Sequence, residues 1–172
     1  MKLKYLISPD SELTTDFISK AIQDFQTRYL PNLNYLWNYY VGKQKITKKE
    51  PSDIGRPNNI AMVNYCNSIV NNYNGYITGI PISYTNDDFQ DIIDIINYND
   101  VTQEDTEYLK NALIYGRAFE CNYIDEEGQQ RFKLFSTKEC LPIYSNTLEE
   151  HLLYVVRFYR ESLLEKQIGD DN

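Results

Sequence analysis

Apolar positions recur with a helical period through roughly the first two thirds of the chain and with a strand period in the last third. Phe17, Ala21, Ile22, Phe25 and Tyr29 share one helical face, and Thr14 or Thr15 can cap that helix with Asp16 in its first turn. Pro31 has no N–H and crowds the preceding turn, so the helix is expected to break or kink there. A second stretch carries Leu33, Leu36, Trp37 and Tyr40 on one face and ends at Gly42, a C-terminal cap. Residues 43–58 lack periodicity and contain Pro51, Gly55 and Pro57, which reads as a long loop. Asn58-Asn59 supplies cap chemistry for a third helix, which carries Met62, Cys66, Ile69 and Tyr73 on one face and is closed by Gly75, Gly79 and Pro81. An acidic helix runs from Asp87 to about Ile96, with Phe89, Ile92, Ile93 and Ile96 opposite Asp87, Asp88, Asp91 and Asp94. Thr102 opens a further helix with Glu104 and Asp105 in its first turn and Leu109, Ala112 and Leu113 inward, stopped by Gly116.

The period then changes to 2. Phe119, Cys121 and Tyr123 alternate with Ala118, Glu120 and Asn122, Asp125-Glu126-Glu127-Gly128 reads as a hairpin loop, and Arg131 and Lys133 alternate with Phe132 and Leu134 on the return strand. Two more strands are expected around Leu141–Tyr144 and Leu152–Tyr159. Helices first and strands last define an α+β class, with a small antiparallel sheet of about four strands. The expected organisation is one region over 1–172: about 14–116 helical, 117–160 in antiparallel strands, and a polar, disordered tail at 161–172.

Composition narrows the function classes. With 172 residues and 42% hydrophobic content the chain can bury a sizeable core. Its net charge of −8 is uneven: residues 1–50 hold 8 basic and 5 acidic groups, the remainder 9 and 20. The basic cluster Lys43, Lys45, Lys48 and Lys49 lies in the loop and reads as a solvated surface rather than a duplex grip, which needs many clustered cations. Cys66, Cys121 and Cys140 form no C-x-x-C pair and read as packing residues in a reducing cytoplasm. Met1–Ile7 is too short for a signal core and no 18-residue apolar run occurs, so no membrane association is expected.

Catalytic chemistry leaves few traces. His151 is the one histidine, flanked by Glu149 and Glu150, and reads as an exposed edge residue rather than a general base. No zinc spacing, P-loop, dinucleotide fingerprint or nucleophile elbow is present. Asp87, Asp91 and Asp94 lie on one helical face and could gather a hard cation, but such a row is more often a wet surface. We therefore assign no catalytic, cofactor-binding or metal-binding residue and expect no cofactor. Sixteen tyrosines and seven phenylalanines stand out; tyrosine is enriched in interfaces, although a compositional bias of the genome explains it equally well.

A series of short motifs carries a family likeness. In order they are Tyr39-Tyr40-Val41-Gly42 with Ile46, Arg56-Pro57-Asn58-Asn59, Val63-Asn64-Tyr65 with Ile69-Val70, and Gly75-Tyr76-Ile77-Thr78-Gly79-Ile80-Pro81-Ile82. Ile114-Tyr115-Gly116-Arg117-Ala118-Phe119-Glu120, Asp125-Glu126-Glu127-Gly128 and Pro142-Ile143-Tyr144 follow. The series, from about Tyr29 to Tyr159, resembles the N-terminal, wing region of portal proteins from siphophages of Gram-positive hosts. The resemblance implies a non-enzymatic structural protein of the virion that forms a closed ring, usually of about twelve subunits, at the capsid vertex, assembled in the host cytoplasm. It implies terminase, capsid or scaffold and head-completion proteins as partners, and DNA passing non-specifically through the ring during packaging and ejection. Portal proteins of this kind are more than twice as long, so this chain would be a fragment or a truncated form, such as a prophage remnant. The rival readings are an interaction module of another kind, or a hydrolase using Asp87, Asp91 or Glu120 as acid or base.

Overall fold

Two capped helices joined without a break open the architecture. The structure, a computed structural model, describes residues 4–48, 61–82 and 90–160. Helix α1 is Thr15–Asp24, and Thr14 caps it, its hydroxyl accepting from the Phe17 N–H at 3.3 Å. Just before Pro31, where a break or kink is expected, lies a π-helical turn, Phe25–Tyr29, leading directly into α2, Leu30–Tyr40. Pro31 is the second residue of α2, where its missing N–H is little needed. Leu30 N–H donates to Phe25 O across the wide turn, and the Thr27 hydroxyl donates to the carbonyls of Gln23 at 3.0 Å and Asp24 at 3.1 Å. The wide turn carries the chain from α1 into α2 without leaving the helical path.

Gly42 ends α2 as expected. At φ 83° it lets Lys43 N–H reach Asn38 O at 2.7 Å and its own N–H reach Tyr39 O at 3.1 Å, the paired bonds of a Schellman cap. A 3₁₀ turn, Lys45–Lys48, follows. Helix α3, Tyr65–Thr78, starts later than Asn58-Asn59 would place it: Asn64 is the cap, accepting from Asn67 N–H at 3.2 Å, and Met62 precedes the helix. Asn58, Asn59, Pro51, Gly55, Pro57 and Lys49 lie outside the described residues, as do Asp87, Asp88 and Phe89 and the proposed tail. Helices α4, Gln90–Tyr98, and α5, Val101–Tyr115, complete the helical part.

The strands divide between two sheets. Strands β2, Phe119–Ile124, and β3, Gln130–Phe135, form the expected hairpin, with Gly128 at φ 80° and Asp125 Oδ1 accepting from the N–H groups of Glu127 and Gln129. Strands β4, Cys140–Ser145, and β5, Leu152–Arg157, pair antiparallel. On the other edge of β4 lies a strand that the periodicity did not announce, β1, Tyr5–Ile7, pairing in parallel from Tyr5 opposite Ile143 to Ile7 opposite Ser145. Three residues are too few to show an alternation, so only the partner strand reveals β1. The β1 ladder begins after Pro142, whose missing N–H costs it nothing. The α+β class stands, with five strands in two sheets among the described residues.

The core lies where this sheet meets the first helical run. Leu141 and Ile143 are fully buried against Ala21, Phe25 and Leu33, with Tyr5, Ile7, Val156 and Phe158 packed around them. Phe25 meets Phe158 edge-on at 5.4 Å and stacks on Tyr29 at 5.7 Å. The hairpin is tied to the helices through Asn99: its Oδ1 accepts from Phe132 N–H at 3.1 Å and its Nδ2 donates to Gln130 O at 2.8 Å, as a strand edge would.

Candidate contact face

The last carbonyls of a helix need donors from elsewhere. The Schellman cap serves Asn38 O and Tyr39 O; for Tyr40 O the donors come from the start of α3, Asn64 Nδ2 at 2.9 Å and Asn67 Nδ2 at 3.4 Å. The Tyr40 hydroxyl then donates to Asn71 Oδ1 at 3.2 Å, and Asn71 Nδ2 to Asn67 Oδ1 at 2.8 Å. Asn74 extends the stripe and is buried, its Oδ1 unpartnered among the described residues. Asn64, Asn67, Asn71 and Asn74 stand at i, i+3, i+7 and i+10 in one stripe; Asn64 and Asn67 are half-buried, Asn74 is buried and Asn71 is exposed at its edge.

The apolar face of α3 is left largely outward. Ile69 and Tyr73 are more than half exposed, Met62 is exposed, and Cys66 is only partly covered. Tyr65, Ile69, Tyr73 and Tyr76 form an outward strip, with Tyr76 89% exposed, and Ile77, Ile80 and Ile82 continue it. Apolar period alone cannot tell which side of a helix meets the rest of the molecule; here the unpaired carbonyls of α2 select the polar side. A missed sequence signal accompanies the strip: from Pro57 to Asn86 there is no charged residue, in a chain that is 24% charged. Charge depletion with tyrosine enrichment marks the centre of protein contacts.

The surroundings of the strip are charged. At its entry, Gln44 Nε2 donates to Val63 O at 3.4 Å, which brings the exposed Lys43, Lys45 and Lys48 beside the start of α3; Lys45 also sits 5.3 Å from the Tyr35 ring. At its far end Ile77, Ile80 and Ile82 share a pocket of about 210 Å³ with Thr102, Asp105 and Leu109 of α5. Burial, then the neighbouring Asp105 and Glu104, push the Glu120 carboxyl above its usual range.

The remaining candidates separate. Asp91 and Asp94 lie near Tyr98 and Gln130 at a shallow pocket, and Asp94 accepts from Gln90. Among the described residues no group of three or more His, Cys, Asp or Glu is placed to hold a metal ion. His151 is exposed and pairs with Glu149, and its N–H donates to Ser145 Oγ at 2.9 Å. Cys140 is buried in β4, which pushes its thiol up to about 11. The Tyr115-Gly116-Arg117-Ala118 motif is a packing corner: Tyr115 stacks on Trp37, Arg117 covers the Tyr29 ring at 5.3 Å, and the Thr137 hydroxyl donates to Arg117 O. Lys138 lies over Trp37 and Tyr115, and burial lowers its ammonium pKa.

What this arrangement offers is surface for contact, the property of a structural protein. A family model described as phage portal protein, SPP1 Gp6-like, matches residues 19–172, and the chain belongs to that family. Portal proteins are structural, ring-forming components of the capsid vertex of the phage virion, associated with capsid and terminase and concerned with genome packaging. No curated protein gives a significant match to the chain. Among the described residues no helix is long and apolar enough to cross a membrane.

Proposed function

We propose that this chain is the wing part of a portal subunit, acting without enzymatic activity in a ring of about twelve copies through which DNA enters and leaves the capsid. The family match over residues 19–172 carries this reading. Terminase, scaffold or capsid protein, and head-completion proteins are its partners, met at the virion vertex after assembly in the host cytoplasm. The chain's own chemistry agrees: a net charge of −8 suits a subunit past which DNA slides without being gripped. On this reading the chain corresponds to one region of a longer portal polypeptide.

The test is light scattering after size exclusion, with negative-stain imaging, on the longer gene product and on this 172-residue chain. A closed ring from the longer product, and none from the short chain, is expected. A longer product that stays monomeric in the presence of scaffold protein would overturn the reading.

A further inference from the structure

The strip on α3 differs at its two ends. Lys43, Lys45 and Lys48 are exposed beside its entry, where Gln44 bonds to Val63 O, and no carboxylate among the described residues pairs with them. Asp105 lies against Ile77, Ile80 and Ile82 at the exit, with Glu104 and Glu120 near it, and no lysine or arginine among the described residues pairs with these three. Between the two poles run the 14 uncharged residues of α3, about 21 Å of helix at 1.5 Å per residue. Elsewhere among the described residues some surface charges are matched locally, as in Lys20–Asp16, Arg28–Asp24, Lys110–Glu107 and Arg157–Glu139.

We infer that this strip is a seat for a second copy of the same chain, the two α3 helices lying antiparallel so that the lysine pole of each copy faces the carboxylate pole of the other. The apolar strip supplies the attraction, since Tyr65, Ile69, Tyr73 and Tyr76 project from it. The poles supply the direction: a parallel pair sets lysines on lysines and carboxylates on carboxylates, while the antiparallel pair neutralises both ends. A strip that is uncharged along its length and opposite at its ends is complementary to itself under a two-fold axis, and an isologous contact closes at two copies. This pairing is therefore distinct from the head-to-tail contacts of a ring and does not rest on the ring reading.

Analytical ultracentrifugation of the 172-residue chain over a concentration series tests it, with circular dichroism to verify the fold of each variant. Wild type is expected to sediment as a concentration-dependent dimer that weakens as salt rises. Ile69→Asp, which places a charge in the strip, is expected to abolish pairing. Lys45→Glu with Lys48→Glu weakens it about tenfold, as does Glu104→Lys with Asp105→Lys, because several exposed pairs become repulsions. Mixing these two charge-reversed chains restores association, since each pole then meets its opposite; a merely unfolded variant would not be rescued this way. A chain that stays monomeric, or a dimer indifferent to both reversals, overturns the pairing. If the longer gene product forms its ring while the short chain fails these tests, the portal reading stands and the pairing falls. If the short chain pairs with this charge dependence and the longer product forms no ring, the reverse holds.

Discussion

At the scale of single residues, Glu120 shows how position rather than type sets behaviour. It stands on β2 near Glu104 and Asp105, and burial together with those neighbours raises its pKa. A raised carboxyl pKa means that the folded chain holds this proton more tightly than the unfolded chain does. Stability from this group therefore grows as pH falls through the raised value and is lost above it. Glu120→Gln removes the penalty at neutral pH, and because the side chain is largely exposed the gain is modest, up to about 2 °C in Tm at pH 7. Thermal melts should show the two proteins converging toward pH 4.5, the ordinary carboxyl value. A variant that melts lower at pH 7 would show that the crowding is not felt. Glu120 was one of three carboxylates that a hydrolase would recruit, and its neighbours are further carboxylates. Asp91 sits at a separate pocket, so the structure does not gather the two into one site. Cys140, one of three cysteines alike in sequence context, differs only through burial in the central strand.

At the scale of elements, helix ends decide more than helix interiors. Gly42 closes α2 with φ 83° and stands where a Cβ would come within 3.1 Å of Asn64 Nδ2, the group that donates to Tyr40 O. Gly42→Ala is expected to cost about 1–2 kcal/mol, from the left-handed backbone alone. Urea denaturation followed by circular dichroism measures it, and an unchanged midpoint would refute the cap. The N-cap at Thr14, the turn at Gly128 and the stop at Gly116 were readable in sequence because each rests on a local side-chain or backbone preference. Near Pro31 the regular ladder gives way to a π turn, and the chain continues into α2 because a proline in the first turn of that helix needs no N–H of its own.

At the scale of the whole molecule, the core is built by the first helical run against β4, not by α3. Leu141→Ala should cost about 2–5 kcal/mol by leaving a cavity in a fully buried site. Tyr73→Ala, on the outward strip, should change stability by less than about 0.5 kcal/mol. Chemical denaturation of the two variants side by side tests where the core lies; a costly Tyr73→Ala would return α3's apolar face to the interior. The family match, 19–172, nearly coincides with the span over which ordered short motifs suggested the same family. Among the described residues several of those motifs map to helix ends, the Tyr115–Ala118 corner and the hairpin turn, where the signal is local, while Pro142–Tyr144 belongs to β4.

The sequence by itself determined the α+β class, the cap at Thr14, the stops at Gly42 and Gly116, the hairpin and strands β4 and β5, because period, cap and turn chemistry act within a few residues. Only the tertiary structure decided the rest. Strand β1 is too short to have a pattern and exists through its pairing with β4. The separation of the strands into two sheets follows from which edges meet, and edges carry no local mark. Helix α3 sets Asn64 and Asn67 toward α2 and its tyrosines outward because the carbonyl of Tyr40 needs donors there, a demand raised by another helix and invisible from α3's own residues.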